Sequence, residues 1–103
     1  MRNTKQPLTG PRTPRRAWSY KQLTAATEAE ILRNTQFLRA QLARETNAEL
    51  RRMTRTQLRG WIYGTYSLWS SLTMGWQQQG DDARLQALVD AADEIEANGG
   101  QAC

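Results

Sequence analysis

The 36 residues from Thr24 to Arg59 contain neither proline nor glycine, and this restricts the fold more than any other feature of the chain. Apolar or threonine side chains recur there every three or four residues, the period of one helix face: Ile31, Thr35, Leu38, Leu42, Thr46, Leu50 and Met53. The two threonines make this face only weakly apolar, so we expect the predicted helix to be unstable alone and to pack on another element or another chain. Glu45 and Glu49 interrupt a heptad pattern, which argues against an ordinary coiled coil.

All three prolines of the chain lie within residues 1–16. Almost no bulky apolar side chain accompanies them, so we expect residues 1–16 to form a disordered arm in the unbound protein. Proline favours extended conformations, which would leave the basic side chains of the arm available to phosphates; these are Arg2, Lys5, Arg12, Arg15 and Arg16. The ordered part begins near Trp18, and Thr24 or Thr27 is expected to cap the first helix.

Residues 60–80 form a stretch of 21 positions without a charged side chain. On a helix, this stretch has one bulky face, made of Trp61, Ile62, Thr65, Leu68, Trp69, Leu72 and Trp76. The opposite face is a stripe of small residues, made of Gly60, Gly64, Ser67, Ser71 and Gly75. Glycine weakens an exposed helix by about 1 kcal/mol relative to alanine, so the stripe predicts close packing against another helix or a second copy of the chain.

The bulky face of residues 60–80 has two main interpretations; base stacking by its tryptophans, a third, would need cations interleaved with the rings, and these residues have none. It packs as a core against the C-terminal helix, or it contacts a membrane, since about 20 uncharged residues match a bilayer span. Trp61 and Trp76 would lie about 22 Å apart along a helix, like interfacial anchors. The serines, threonines and glutamines of the segment make a poor hydrocarbon span, so the membrane interpretation is shallow interfacial insertion.

The last segment predicts an amphipathic helix over residues 81–98. Asp81 or Asp82 can cap it, and Asn98-Gly99-Gly100 is typical of a helix end. One of its faces is apolar and contains Leu85, Leu88, Val89, Ala92 and Ile95.

Taken together, these patterns predict an all-α fold. After the disordered basic arm comes a long helix or a helical hairpin, and then a shorter antiparallel C-terminal helix. Residues 17–103 are expected to form a single helical domain. It comprises a basic helical part (17–59), an uncharged Trp-rich part (60–80) and an acidic amphipathic helix (81–98).

Charge is divided unequally between the two halves of the chain. Residues 1–59 hold 13 basic and 4 acidic side chains, a net charge of +9, whereas residues 60–103 hold one basic and 6 acidic side chains, a net charge of −5. Such asymmetry predicts a polyanionic partner for the first half, either nucleic acid or anionic lipid. Arg52, Arg55 and Arg59 share one side of a helix and, with the arm, are the candidate phosphate contacts; the alternative is a solubilising face. No residue is placed to read bases, so binding would be largely non-specific.

The residues that common enzymes need are missing from the sequence. There is no histidine, the single cysteine is Cys103, and there is no glycine-rich phosphate loop. This excludes the common metal sites, histidine-dependent triads and nucleotide-binding fingerprints. We therefore expect no catalytic residue, no cofactor and no small-molecule substrate. With no secretory signal in the sequence, a cytoplasmic location is the default expectation, with membrane association as the alternative.

The layout of the middle of the chain resembles that of a known family. A basic helical stretch leads into Arg59-Gly60-Trp61, then a Trp-rich, weakly apolar segment, then Gly75-Trp76 near its end. Over roughly residues 40 to 77 this is similar to MobB/MbeB-type plasmid mobilization accessory proteins. The resemblance implies a protein that assists a relaxase at a transfer origin and, in some members, a membrane-associated segment.

The sequence therefore favours a non-enzymatic accessory or adaptor protein. Its basic half would contact nucleic acid, and its helical faces would contact a protein partner or a second copy. Two alternatives stay open: a peripheral membrane adaptor that uses the Trp-rich segment, and a small phage or plasmid inhibitor that docks on a host protein.

Overall fold

The computed structural model describes residues 17–101, with side chains described up to residue 95. This part of the chain contains three helices and no strand: α1 spans Tyr20–Arg44, α2 spans Ala48–Thr73 and α3 spans Asp81–Gln101. The first two form an antiparallel hairpin, and α3 runs back along them. The all-α prediction is confirmed. The arm predicted for residues 1–16 lies outside the described residues.

The first helix begins earlier than the sequence predicted. Ser19 is its N-cap, and Ser19 and Gln22 satisfy each other's backbone amides in a capping box. Thr24 and Thr27, the predicted caps, are instead buried inside α1, where the Thr27 hydroxyl donates to the carbonyl of Leu23. Because Ser19 and Gln22 already cap the helix start, the threonine hydroxyls are used in the core.

Of the two predicted arrangements, a long helix or a helical hairpin, the structure has the hairpin, because the helix is interrupted at residues 45–47. Asn47 caps α2 by accepting a hydrogen bond from the amide of Leu50, and this short side chain competes with helix continuation. The single face predicted to run through Thr46, Leu50 and Met53 is therefore wrong, since Leu50 and Met53 are exposed. The buried face starts again on α2 at Leu58.

The second helix ends at Thr73, before the end of the uncharged stretch. Gly75 and Gly80, in the connection to α3, both have positive φ angles, of 87° and 92°, a conformation that suits glycine. Gly75 therefore does not belong to the predicted helical stripe of small residues. At the other end, α3 continues through Gly99 and Gly100, so its predicted end at residue 98 is also wrong. Glycine weakens a helix without forbidding it.

Two groups of buried side chains hold the three helices together. The larger is made of Ile31, Ile62, Trp69, Leu85, Val89 and Ala92. The smaller is made of Leu38, Leu42 and Leu58, with Ile95 packed against them. The α1 and α3 residues of these groups belong to the apolar faces predicted from periodicity. The charged and apolar residues that lie outside these two groups are therefore the candidates for a functional surface.

Candidate interaction surfaces

Arginine side chains collect at the end of the bundle where α1 turns into α2. Residues 33–59 hold seven arginines and two glutamates, a net charge of +5. Arg39, Arg44 and Arg52 are exposed around the turn, and we call residues 39–55 the arginine end. The opposite end of the bundle carries the carboxylates of Glu28, Asp81 and Asp82. The charge division along the sequence is not a division between the two ends of the bundle, because α3 runs back along the hairpin and brings Asp93 to Arg59, while Arg84 pairs with Glu28 and Asp81 at the other end.

The structure separates the three arginines of α2 that were predicted to contact phosphates. Arg52 is exposed and forms an ion pair of 2.5 Å with Glu49 on the same helix. Arg59 forms an ion pair of 2.5 Å with Asp93, which joins α2 to α3. Arg55 is half-buried. Arg52 is consequently the most accessible of the three, while the five predicted basic residues of the arm lie outside the described part of the chain.

Arg51 has a structural role that the sequence analysis missed. Its guanidinium donates to the carbonyl oxygens of Leu42 and Glu45, the latter at 3.0 Å. These carbonyls lie at the end of α1, where backbone acceptors lack partners within the helix. Arg51 therefore stabilises the turn between α1 and α2, the part of the backbone that carries the exposed arginines.

A long shallow cleft lies between α1 and α2, and we call it the outer groove. It consists of two adjoining clefts that share Glu30, Thr65 and Leu68, and no residue of α3 lines it. Its remaining walls are formed by Leu23, Ala26, Thr27 and Asn34 on α1 and by Gly60, Trp61, Gly64, Trp69 and Leu72 on α2. The groove is mostly apolar; its polar residues are Glu30, Asn34, Thr27 and Thr65.

The bulky face predicted for residues 60–80 is divided between the core and the outer groove. Ile62 and Trp69 are fully buried, with exposures of 0% and 1%. Trp61, Leu68 and Leu72 are more than half exposed, at 55%, 61% and 53%. Trp76 lies outside α2 and is 72% exposed, near Met74 at the acidic end of the bundle. One face of α2 therefore fills the core while the adjoining face presents apolar side chains to solvent.

The stripe of small residues does not pack against another helix of the described chain. A Cβ atom added at Gly60 or Gly64 would meet no atom within 4 Å, and Ser71 is exposed while Ser67 is half-buried. The close packing that the stripe predicted is therefore absent between the helices of one chain. Gly60 and Gly64 instead form part of the wall of the outer groove.

The outer groove contains residues of α1 that the sequence analysis did not single out. Leu23 and Glu30 line it, and Phe37, which follows on the same face of α1, is 49% exposed. A signal for this face was present in the sequence. Leu23, Glu30, Phe37 and Arg44 follow one another at intervals of seven residues, which places them on one side of a helix.

Two tyrosine hydroxyls hold the start of α3. Tyr20 donates to Asp81 at 2.8 Å, and Tyr66 donates to Asp82 at 2.6 Å. The hydrogen bond to Asp82 is the main cause that raises the pKa of Tyr66 above its ordinary value of 10.0, with burial and the negative charge of Asp82 acting in the same direction. These acidic side chains have structural partners and tie α3 to both helices of the hairpin.

Among the residues that the structure describes, no helix is long and apolar enough to cross a membrane. The same part of the chain has no group of three or more His, Cys, Asp or Glu side chains placed to hold a metal ion. A scan against protein-family models, a search of curated proteins and a search of solved structures found no match to this chain. Its function is therefore inferred from the arginine end and the outer groove.

Proposed function

We propose that this protein is a non-enzymatic accessory protein that binds nucleic acid through its arginine end. The observation that carries the proposal is the concentration of exposed guanidinium groups around one turn, on two different helices. Guanidinium groups bind phosphate oxygens through paired hydrogen bonds and keep their charge at all physiological pH values. Such contacts position a protein on the backbone of a nucleic acid without reading bases.

The ion pairs of the bundle indicate which arginines are accessible to phosphate. Asp93 neutralises Arg59, so the accessible positive charge lies nearer to the turn, at Arg39, Arg44 and Arg52. The resemblance to plasmid mobilization accessory proteins makes plasmid DNA the nucleic acid to examine first.

The test compares two double variants. Each removes two positive charges, one variant at the arginine end and the other at the opposite end of the bundle. Arg39→Gln with Arg52→Gln acts on the arginine end. Lys21→Gln with Arg84→Gln is the control, because these residues lie at the other end, where Arg84 pairs with Glu28 and Asp81. Affinity for short duplex and single-stranded DNA is measured by fluorescence anisotropy across a salt series. For duplex DNA, each lost phosphate contact lowers the slope of log affinity against log salt by about 0.9, so the first variant should lose about 1.8.

The control variant should bind DNA with nearly the wild-type salt dependence. Equal losses in the two double variants would show that only the net charge matters and would contradict a site at the turn. Absence of binding by the wild-type chain at low salt would refute the proposal outright.

A second candidate function is peripheral attachment to a membrane. Trp18, Met74 and Trp76 are exposed by 58%, 73% and 72% near the acidic end of the bundle. Tryptophan favours the membrane interface, and the five basic residues that precede Trp18 in the sequence favour anionic lipid. Flotation with vesicles of phosphatidylcholine and phosphatidylserine tests this candidate: Trp76→Ser should abolish co-flotation, and absence of flotation by the wild-type chain would exclude it.

A further inference from the structure

The outer groove begins close to the point where residues 1–16 join the helical bundle. Leu23 and Leu72 line one end of the groove, and Leu23 lies in the second turn after Ser19, the N-cap of α1. The arm, which lies outside the described residues, therefore enters the bundle beside this end of the groove. Because it is covalently joined to the bundle, its local concentration at the groove is on the order of millimolar.

Apolar side chains recur at every third residue in the second half of the arm. They are Leu8, Pro11 and Pro14, and a polyproline II helix repeats every three residues, so the three side chains share one face of such a helix. Proline-rich segments of this kind dock in grooves that contain exposed aromatic rings. Trp61 lines the outer groove and is 55% exposed. The arm therefore has an apolar face of the kind that fits this groove.

The length of this apolar face matches the length of the groove. Along α2 the groove extends from Gly60 to Leu72, which is about 18 Å on a helix. From Leu8 to Pro14 a polyproline II helix advances about 19 Å. With Pro14 beside Leu72, Leu8 reaches the level of Gly60 at the far end of the groove.

The arm and the groove carry opposite charges. Among the residues that line the outer groove, Glu30 is the one with a charge, and it lies in both clefts, near the middle. Residues 1–16 hold five basic side chains and no acidic one. Pro11 is the middle residue of the segment 8–14, so docking brings its neighbour Arg12 to Glu30. Glu30 already pairs with Arg33 on the surface, so the apolar contacts contribute most of the affinity.

We infer that residues 8–14 occupy the outer groove of their own chain, as an extended segment that runs antiparallel to α1. Residues 15–18 then reverse the direction of the chain before α1 begins. Docking covers the side chains of Trp61, Leu68 and Leu72, which are more than half exposed on the bundle alone. The arm was expected to be disordered because it has few bulky apolar side chains, and the groove supplies the apolar surface that it lacks.

The opposite direction is excluded by the length of the connection. In that arrangement Pro14 would lie at the far end of the groove, beside Asn34, which is about 22 Å from Ser19 along α1. Pro14 precedes Ser19 by five residues, and even a fully extended chain of this length spans at most about 18 Å. Only the antiparallel direction lets the segment fill the groove.

The test measures proximity between the arm and the groove in the full-length chain by paramagnetic relaxation enhancement. Thr9→Cys, made together with Cys103→Ser, carries a nitroxide label beside the apolar face of the arm. The amide signal of Thr65, in the groove, should be broadened more than that of Asp90, which is exposed on α3. The comparison is matched, because Thr65 lies eight residues before the end of α2 and Asp90 nine residues after the start of α3. Equal broadening of the two signals would overturn the inference.

Variants of the arm test whether its apolar face makes the contact. The excess broadening of Thr65 over Asp90 should disappear when the labelled chain carries Leu8→Ser, Pro11→Ser and Pro14→Ser. The control changes residues on the other faces of the arm, one proline among them: Gln6→Ser, Pro7→Ser and Thr13→Ser. This control should keep the excess, and loss of the excess in both triple variants would contradict docking through the apolar face.

A pair of variants in the bundle tests the groove itself. Leu68→Lys places a positive charge in the outer groove, at an exposed side chain, and should remove the excess broadening of Thr65 while the helical content measured by circular dichroism stays unchanged. Leu32→Lys is the control, because Leu32 is also exposed but does not line the groove. Persistence of the excess in Leu68→Lys would place the arm outside the groove.

A mixing experiment shows whether the arm docks on its own chain. Nitroxide-labelled chains without an isotope label are mixed with isotope-labelled chains that carry no nitroxide, and the signal of Thr65 should then stay sharp. Broadening of Thr65 in the mixture would show that the arm docks on a different molecule and would contradict the inference. All these measurements are made without nucleic acid, so their outcome is independent of the proposed DNA binding.

Discussion

The indole nitrogen of Trp69 donates a hydrogen bond of 2.8 Å to the hydroxyl of Thr24, in the buried space between α1 and α2. The same indole ring lies 6.4 Å from the ring of Tyr20 and 6.1 Å from that of Tyr66, measured between centroids. A tryptophan can be fully buried only if its polar N–H finds a partner. Thr24 supplies that partner and links the beginning of α1 to the last turns of α2.

Removal of this hydroxyl should be costly. Thr24→Val keeps the shape of the side chain but leaves the indole N–H of Trp69 buried without an acceptor, which should lower the free energy of unfolding by about 1–3 kcal/mol. Thr65→Val is the control, because the Thr65 hydroxyl is exposed and donates to the carbonyl of Trp61 on its own helix. Urea denaturation monitored by circular dichroism measures both; similar losses would argue against the buried hydrogen bond.

The stability that Tyr66 contributes should depend on pH. Since the folded-state pKa of Tyr66 lies above 10.0, its contribution is fully present below pH 10 and is lost as pH rises through the folded-state value. The difference in unfolding free energy between the wild type and Tyr66→Phe should be constant from neutral pH up to pH 10 and shrink above it. Tyr63→Phe is the control, because the Tyr63 side chain is exposed; if the two variants showed the same dependence on pH, the assignment to Tyr66 would be contradicted.

Two glycines should respond in opposite directions to replacement by alanine. Gly80 has a φ angle of +92°, where a Cβ atom costs roughly 1–2 kcal/mol. Gly64 lies within α2 with nothing within 4 Å of an added Cβ, so Gly64→Ala should stabilise the helix by up to about 1 kcal/mol. Thermal denaturation should show a lower melting temperature for Gly80→Ala and a higher one for Gly64→Ala. A loss at Gly64 would mean that the small side chain is needed for contact with another chain.

The ion pair between Arg59 and Asp93 should contribute little to stability but should lower the affinity for DNA. Both side chains are partly exposed, by 36% and 44%, so Asp93→Asn should lower the free energy of unfolding by less than about 1 kcal/mol. The same variant frees Arg59 for phosphate and should increase affinity for DNA at low salt. Glu94→Gln removes the same charge from an exposed position on α3. If it raises the affinity equally, net charge alone explains the change.

Periodicity was sufficient to predict the core faces of α1 and α3. Ile31, Leu38 and Leu42 recur at helical spacing on α1, as do Leu85 and Val89 on α3, and all are buried. Each of these helices has polar or charged residues on its other faces, so only one orientation hides the apolar side chains.

The orientation of α2 could not be predicted in the same way. Around Trp61 and Trp69 the helix has no charged face to mark the solvent side, and the two rings lie only about 80° apart on a helix. Which of them enters the core depends on Thr24 and the tyrosines that surround Trp69, and these contacts form only in the folded chain. A helical hairpin was one of the two predicted arrangements, but the position of its turn at residues 45–47 was not predicted, because Asn47, rather than proline or glycine, marks it.

The distance between the positive turn and the first carboxylates of α3, Asp81 and Asp82, also affects how this molecule meets a charged partner. Since α2 is about 39 Å long, these two regions lie several Debye lengths apart at physiological ionic strength, where that length is about 8 Å. A polyanion that comes near the arginine end is therefore attracted by the +5 charge of residues 33–59 with little effect from Asp81 and Asp82. Added salt should therefore slow association more than it speeds dissociation.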